Sequence, residues 1–275
     1  MDIVLLGTGS PIPDPRRAGP ATLVQAGGVN LLFDCGRGVL MRLAAGGVMP
    51  PTISAVVLTH MHSDHITDLN DVITTHWVMN LEPAELKVFG PVGAKALVAA
   101  TLAMLAPDVG YRLAHHADLN HEPQVSVTEL SPGDRVTIGG CEMECRATDH
   151  SPVRPTLGYR VTHGRAVAAI AGDTVPCPGL DALCAGAEAY VQTVIRDDLV
   201  RMMPSHRLQD ILDYHSTVRQ AAETAERAGV RTLVMTHYVP PLLPGQEDAW
   251  RSIAAAHFSG EIVLGDDLTR VHLED

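Results

Sequence analysis

The stretch LTHMHSDHITD, Leu58 to Asp68, is the most informative part of this sequence. Within six positions it holds four side chains that can bind a metal ion, namely His60, His62, Asp64 and His65. Proteins bind zinc through neutral imidazole and carboxylate groups, and a hydrolytic site leaves one position open for water. Because no structural pattern explains four such side chains at this density, the stretch predicts a metal site.

Composition narrows the class of protein. The chain has 275 residues, 46% of them hydrophobic, and a formal net charge of −12. That charge disfavours a protein that grips nucleic acid mainly by neutralising phosphates, although a local basic patch remains open. The amino terminus lacks a basic region followed by a signal-length apolar stretch. With no run of about 20 apolar residues and five cysteines expected to be free thiols, we predict a cytoplasmic protein without a membrane span.

Four short aliphatic runs each end in a possible metal ligand. They are SAVVLTH ending at His60, CEMECRATDH ending at His150, RAVAAIAGD ending at Asp173 and RTLVMTH ending at His237. Runs of this kind predict β-strands, and the residues after them are typical of loops and turns. Ligands at strand ends predict a site along the rim of one sheet.

Helices are predicted between these strands. One begins near Asp64 and runs towards Met79, a second covers Pro91 to Leu105, and a third covers Ser216 to Gly229. In the third, Thr217 followed three residues later by Gln220 fits a capping box, and a glycine ends the helix. Alternating strands and helices without a low-complexity linker predict one α/β domain over residues 1–275.

Two metal ions need more ligands than the opening stretch supplies. His60 and His62 would serve one ion and Asp64 and His65 a second. Three further ligands are available, His150, Asp173 and His237, and the two oxygens of a carboxylate suit Asp173 to bridge. Taken alone, the two histidines would more often be polar loop residues and the aspartate a turn residue, so their assignment depends on the opening cluster.

The sequence resembles the ribonuclease Z branch of the metallo-β-lactamase fold superfamily. The motifs that carry this resemblance lie in the family's order along nearly the whole chain: LLGTGSPIPDPRRAGPATLV, LLFDCGRG, LTHMHSDH, TDH at His150, AGDT around Asp173, YHST around His215 and LVMTHYVP around His237. The resemblance implies a single-domain αββα sandwich, a homodimer and two Zn²⁺ ions, with Mn²⁺ or Fe²⁺ as other ions that such ligands accept. One zinc would take His60, His62 and His150, the other Asp64, His65 and His237, and Asp173 would bridge them.

The resemblance also implies roles for residues around the metals. A hydroxide between two zinc ions would attack the substrate, with Asp64 orienting or deprotonating the water. His215, just before the capped helix, would protonate the leaving group, or else be a structural residue at the helix start. Asp34 would orient a ligand histidine or be a plain turn residue. At the position of Arg37 the family usually has an acid; here the arginine would meet an anionic substrate or be a surface residue.

Two departures from the family pattern concern the substrate and the leaving group. Ribonuclease Z proteins usually carry a long tRNA-clamping arm between the third histidine and the bridging aspartate, but here His150 and Asp173 are separated by enough chain for only two strands and a turn. The family's His-Glu pair is replaced by Gln192 and Thr193. The carboxylate that orients His215 is therefore missing or comes from elsewhere, with the candidates Asp197, Asp198 and Asp213.

These observations leave three hypotheses. The first is a zinc-dependent hydrolase that cleaves phosphodiesters, either RNA 3′ ends or small and cyclic diesters. The second is an arylsulfatase-type hydrolase with the same ligands. The third is a metal-bound sensor or interaction protein with low turnover, suggested by the missing glutamate.

Overall fold

Two seven-stranded β-sheets form the centre of the computed structural model, which describes residues 1–274. The strands are β1 (Asp2–Gly7), β2 (Ala21–Ala26), β3 (Val29–Phe33), β4 (Ala55–Val57), β5 (Glu85–Pro91), β6 (Gln124–Leu130), β7 (Arg135–Ile138), β8 (Cys141–Ala147), β9 (Leu157–His163), β10 (Ala166–Ile170), β11 (Ala189–Ile195), β12 (Thr232–Val239), β13 (Glu261–Leu264) and β14 (Arg270–His272). The first sheet has the order β14-β1-β2-β3-β4-β5-β6, and the second has the order β13-β12-β11-β10-β9-β8-β7.

The helices are α1 (Val39–Ala45), α2 (Ser63–Ile66), α3 (Leu69–Met79), α4 (Ala94–His115), α5 (Pro178–Cys184), α6 (Asp197–Val200), α7 (His206–Gln209), α8 (Val218–Ala228) and α9 (Glu247–Ala255). Those of seven or more residues cover the outer faces of the two sheets. Short 3₁₀ turns lie at Pro50–Thr52 and Asp210–Asp213.

Three apolar clusters hold these four layers together. The central one joins the inner faces of the sheets, with Phe33 from the first sheet and Val161 and Val234 from the second. A second cluster packs α5, α8 and α9 on the second sheet, and a third packs α1, α3 and α4 on the first. Every residue of β11 and β12 is buried, as expected for parallel strands covered on both faces. The predicted αββα sandwich is confirmed.

The four predicted strands form, but they do not belong to one sheet. The runs before His60, His150, Asp173 and His237 contain β4, β8, β10 and β12. Strand β4 lies in the first sheet and the other three in the second, so the expected single rim is wrong. The alternation of apolar residues predicts strands but carries no information about which strands pair. The candidate ligands lie where the ends of the two sheets meet.

The helix predictions hold with two changes. The capping box at the start of α8 is present, with Thr217 Oγ1 accepting from the Gln220 amide and Gln220 Oε1 from the Thr217 amide. The helix expected from Asp64 to Met79 is interrupted, because the Asp68 amide donates to the Cys35 carbonyl instead of continuing the helix.

Helix α4 is longer than predicted, running from Ala94 to His115. By length and composition alone it could cross a membrane, and 17% of its most apolar window is buried. The expectation that no segment reaches this length and hydropathy is therefore wrong. In the structure its residues Ala94, Val98 and Val109 are buried.

Candidate metal centre

The opening stretch forms a loop and a short helix at the end of β4. His60 and His62 lie in the loop, and Asp64 and His65 lie in α2, which begins at Ser63. His60, Asp64 and His65 are buried and His62 is half-buried. A strand end followed at once by a helix turns all four side chains towards the junction of the two sheets.

The first ligand group consists of His60, His62, His150 and Asp173, whose ligand atoms lie within 4.8 Å of one another. The Nε2 atoms of His60 and His150 are each 3.1 Å from Nδ1 of His62. Burial lowers the pKa of all three imidazoles, well below the usual value for His60 and to about 4 for His150. Metal ligation requires neutral imidazole, so these histidines suit a cation at neutral pH.

The second ligand group consists of Asp64, His65 and His237. His237 Nε2 lies 3.2 Å from Asp64 Oδ2, and His65 Nε2 lies 3.7 Å from it. His65 Nε2 is buried and makes no hydrogen bond of good geometry. An unpaired buried nitrogen costs roughly 1–3 kcal/mol, which a bound cation would remove. The donor set and this nitrogen therefore fit a metal ion.

Asp173 lies between the two groups. Its Oδ2 atom is 3.8 Å from Nε2 of both His60 and His150, 3.4 Å from Nε2 of His65 and 3.6 Å from Nε2 of His237. Burial alone would raise the pKa of this carboxyl, but His237 and His65 hold it well below its usual value. The carboxylate is thus charged and placed to contact ions in both groups.

Gly172 lets the end of the second sheet reach the loop after β4. Its φ is +67°, and a Cβ added there would lie 2.8 Å from Thr59 Cβ. Any larger residue would meet both the steric limit on positive φ and this contact. The glycine before Asp173 therefore has a structural reason that the sequence pattern alone does not show.

A single carboxylate holds one histidine from each ligand group. Asp34 Oδ2 accepts from His65 Nδ1 at 2.7 Å and from Thr59 Oγ1 at 2.8 Å, and Oδ1 accepts from the Thr59 amide at 2.8 Å. His60 Nδ1 lies 3.0 Å from the same hydroxyl oxygen. Because that hydroxyl donates to Asp34, it accepts from His60. Both histidines thereby present Nε2 to the centre, as expected of oriented ligands.

Two backbone carbonyls hold the remaining histidines of interest. His150 Nδ1 donates to the Tyr214 carbonyl at 2.7 Å, and His215 Nδ1 faces the Ile211 carbonyl at 3.2 Å. His215 Nε2 is 3.2 Å from Asp173 Oδ2. Both nitrogens of His215 therefore face acceptors, an arrangement that the imidazolium form satisfies fully.

The three carboxylates suggested for orienting His215 do not do so. Its two hydrogen-bond contacts, within residues 1–274, are with Asp173 and the Ile211 carbonyl, and not with Asp197, Asp198 or Asp213. Asp198 pairs instead with Arg196. Thr193, at the position of the family's glutamate, donates its hydroxyl proton to Asp173 Oδ1 at 2.7 Å.

Arg37 lies apart from the other predicted site residues. Its side chain is exposed, in the loop before α1, and it does not line the cavity at the ligand groups. The residues that sequence reasoning missed are Thr59, Ile211 and Tyr214. Thr59 adjoins a ligand in sequence, but Ile211 and Tyr214 act through carbonyl groups that every residue carries.

A cavity of about 320 Å³ opens beside the ligand groups. Five of the residues that line it are polar groups of the centre: His62, Asp64, Asp173, His215 and His237. Most of the others are apolar, from the loop after β1 and from residues 203–214. With cations at the ligand groups, the arrangement can therefore hold an anionic group at its floor with a less polar group above it.

Comparison with known proteins identifies the class. A family model described as the beta-lactamase superfamily domain matches residues 29–238, and the chain belongs to that superfamily. Human tRNase Z, short form, superposes with a TM-score of 0.73 at 22% identity, over 100% of both chains. The metallo-β-lactamase fold protein YhfI from Bacillus subtilis superposes with a TM-score of 0.77 at 21% identity, over 98% of both chains.

Within this superfamily the chain belongs to the ribonuclease Z family. It is 57% identical to a ribonuclease Z of Mycolicibacterium paratuberculosis over 276 residues, which is 100% of this chain and 99% of the relative. A ribonuclease Z of Mycobacterium marinum is 56% identical over 99% of both chains. The resemblance inferred from the motifs is confirmed.

Proposed function

We propose that this protein is a metal-dependent phosphodiesterase that cleaves RNA in the manner of a ribonuclease Z. The observation that carries the proposal is a pair of ligand groups beside an open cavity, with Asp173 in the first group and its Oδ2 atom 3.4 and 3.6 Å from His65 Nε2 and His237 Nε2 of the second. Family membership supports a metal-dependent hydrolase. RNA is the substrate that the name of the relatives indicates.

Seven residues of the chain would hold the two metal ions used in hydrolysis. His60, His62 and His150 would hold one ion and Asp64, His65 and His237 the other, with Asp173 between them. When bound, the ions would stabilise charge on the phosphate and lower the pKa of the attacking water.

Asp64 and His215 would carry out the proton transfers of the reaction. Asp64 would orient the water and accept its proton through the carboxylate oxygen that His237 does not occupy. His215, with Nε2 in the cavity, would donate a proton to the leaving oxygen. Its hydrogen bond to the Ile211 carbonyl would keep that nitrogen aimed at the reaction, which supports turnover over the low-turnover hypothesis that the missing glutamate suggested.

The metal is proposed to be zinc, with two ions per chain. Imidazole and carboxylate ligands also accept Mn²⁺ and Fe²⁺, so the ligand set supports the number of ions better than their identity. Metal analysis of protein purified without chelators should return two equivalents. One equivalent would contradict the pairing of the two groups.

The short connection from His150 to Asp173 bears on the substrate. It consists of β9, β10 and the turns around them, which agrees with the prediction of two strands and a turn. The relatives named ribonuclease Z align along 99% of their own length with this chain. This full-length match favours RNA over small or cyclic diesters.

One panel of substrates tests the proposal. Metal-loaded protein would be offered a 3′-extended tRNA precursor, bis(p-nitrophenyl) phosphate and p-nitrophenyl sulfate, with Asp64→Ala as the inactive control. We expect cleavage of the precursor and of the diester, both abolished in the variant. Turnover of the sulfate alone would instead establish the arylsulfatase alternative.

A homodimer in the cytoplasm remains our prediction for the assembled enzyme and its location. Light scattering coupled to size-exclusion chromatography would measure the mass against the 29.3 kDa of one chain. A single-chain mass at micromolar concentration would contradict the dimer.

A further inference from the structure

The residues between β11 and α8 form a wall over the candidate metal centre. The chain leaves the second sheet after Ile195, forms α6, α7 and the 3₁₀ turn Asp210–Asp213, and returns at Ser216. The base of this segment is closed, because the Ile195 amide donates to the Ser216 carbonyl at 3.0 Å and Ser216 Oγ to the Thr174 carbonyl at 2.7 Å. We call residues 197–214 the wall segment.

The wall segment presents apolar side chains to the cavity. The side chains that line the cavity are Met203, Leu208, Ile211 and Tyr214. Each is half-buried or exposed, so its surface facing the cavity is not covered by other side chains. Ile12, which is 42% exposed, lines the cavity from the opposite loop. Apolar surface facing an open cavity would be stabilised by a ligand group that covers it.

The charges of the residues that line the cavity indicate whether the ligand group against the wall segment is charged. No lysine or arginine is among its lining residues in the described part of the chain. The phosphate would therefore lie at the metal ligands on the floor, while the group against the wall segment is uncharged. The volume of about 320 Å³ is at the lower end for ligand pockets and admits about one nucleotide rather than a stretch of helix.

The same segment holds two functional histidines through its backbone. The Ile211 carbonyl contacts His215 and the Tyr214 carbonyl accepts from His150. The side chains of Ile211 and Tyr214 line the cavity at the same time. Contact between a ligand and these side chains would thus act directly on the backbone that orients both histidines.

We propose that the wall segment binds the base of the nucleoside on the leaving side of the scissile phosphate, and that this contact sets His215 for proton donation. The leaving side is assigned because His215, the proposed proton donor, directly follows the wall segment and lines the same cavity. This inference rests on the proposed phosphodiesterase function and adds the place of one base. Bases stack favourably on apolar and aromatic side chains in proteins that bind single-stranded nucleic acid.

A comparison of two diester substrates distinguishes an effect on binding of the base from an effect on the chemical step. Uridylyl-uridine carries a uridine leaving group, whereas the methyl ester of uridine 5′-monophosphate has the same phosphate but releases methanol. We expect Leu208→Ala to raise KM for the dinucleotide about fivefold to tenfold and to leave the methyl ester unchanged, because only one substrate reaches the wall. Met202→Ala, in the same segment but 73% exposed and outside the cavity, is the matched control and should change neither.

Ile211→Ala tests the link to His215. It should raise KM for the dinucleotide and also lower its kcat, while kcat for bis(p-nitrophenyl) phosphate, whose leaving group needs no proton, falls much less. Ile211→Val should restore both. A kcat loss equal for the two substrates would show that Ile211 is merely structural and would overturn the link.

Binding is also measurable without turnover. Uridine added to metal-loaded protein should shift the methyl NMR signals of Leu208 and Ile211 but not those of Leu243, which lies outside the cavity. Absent shifts, or equal effects of Leu208→Ala on both diesters, would overturn the base site while leaving the phosphodiesterase intact. Failure of the wild type to cleave either diester or tRNA would overturn both proposals.

Discussion

Replacing Asp34 by asparagine tests how the metal ligands are oriented. The Asp34 carboxylate accepts three hydrogen bonds, from His65 Nδ1 and from the amide and hydroxyl of Thr59. Asparagine keeps the size of the side chain and tolerates the φ of 60° at this position. It has only one acceptor oxygen, so its NH₂ group must face a donor on one side.

The expected loss of metal affinity in Asp34→Asn follows from these contacts. If the asparagine oxygen accepts from Thr59, the His65 Nδ1–H loses its hydrogen-bond partner. The imidazole is then no longer held in one tautomer and one orientation. Partners of this kind typically contribute 10-fold to 100-fold in metal affinity, which corresponds to about 1.4–2.7 kcal/mol. We expect a weakening in this range for the ion bound by Asp64, His65 and His237. The other ion should weaken less, because His60 reaches Asp34 only through the Thr59 hydroxyl.

The measurement is a competition titration of zinc between the protein and a coloured chelator. We expect two binding steps in the wild type, and the weaker step of Asp34→Asn would be compared with the weaker step of the wild type. Thr59→Ser, which keeps the hydroxyl, is the matched control and should bind both ions as the wild type does. Circular dichroism would confirm that the variant is folded. Affinities within twofold of the wild type for both steps would refute the reasoning.

Three further outcomes follow from the structure. His215→Ala should retain its metal but lose about 100-fold or more in turnover of alkyl diesters and less with nitrophenol as leaving group; equal losses would contradict proton donation. Thr217→Ala removes the cap of α8 and should lower stability by about 1 kcal/mol, a melting shift of roughly 2–4 °C, whereas Thr217→Ser should not. The pKa of His150 falls from 6.5 to about 4 on folding, so its contribution to stability is present above pH 6.5 and lost as the pH falls towards 4. Denaturant titrations of metal-free His150→Gln should therefore show a shallower fall over this window than the wild type.

In place of the family's glutamate, a backbone carbonyl contacts His215 in this structure. Thr193 donates to Asp173 and so steadies the bridging carboxylate, while the Ile211 carbonyl takes the contact with His215. A carbonyl is uncharged and stabilises an imidazolium less than a carboxylate does. His215 would thus be oriented without the added negative charge of a glutamate, next to an Asp173 that is already charged.

The sequence alone determined the class of the protein and most residues of the candidate metal centre. The density of ligands in Leu58 to Asp68, the aliphatic runs before His150, Asp173 and His237, and the cap at Thr217 are local patterns, and each has a local physical cause. Strand length, capping and the need for histidine and carboxylate at a metal do not depend on distant parts of the chain.

Only the tertiary structure decided how these pieces meet. It placed β4 in one sheet and the other ligand strands in the second. It also joined His65 to Asp34 directly and His60 to Asp34 through Thr59, and it set the Ile211 and Tyr214 carbonyls behind His215 and His150. Strand pairing depends on contacts between residues far apart in sequence. Backbone carbonyls are common to all residues, so a sequence cannot indicate which of them will orient a histidine until the fold brings the two together.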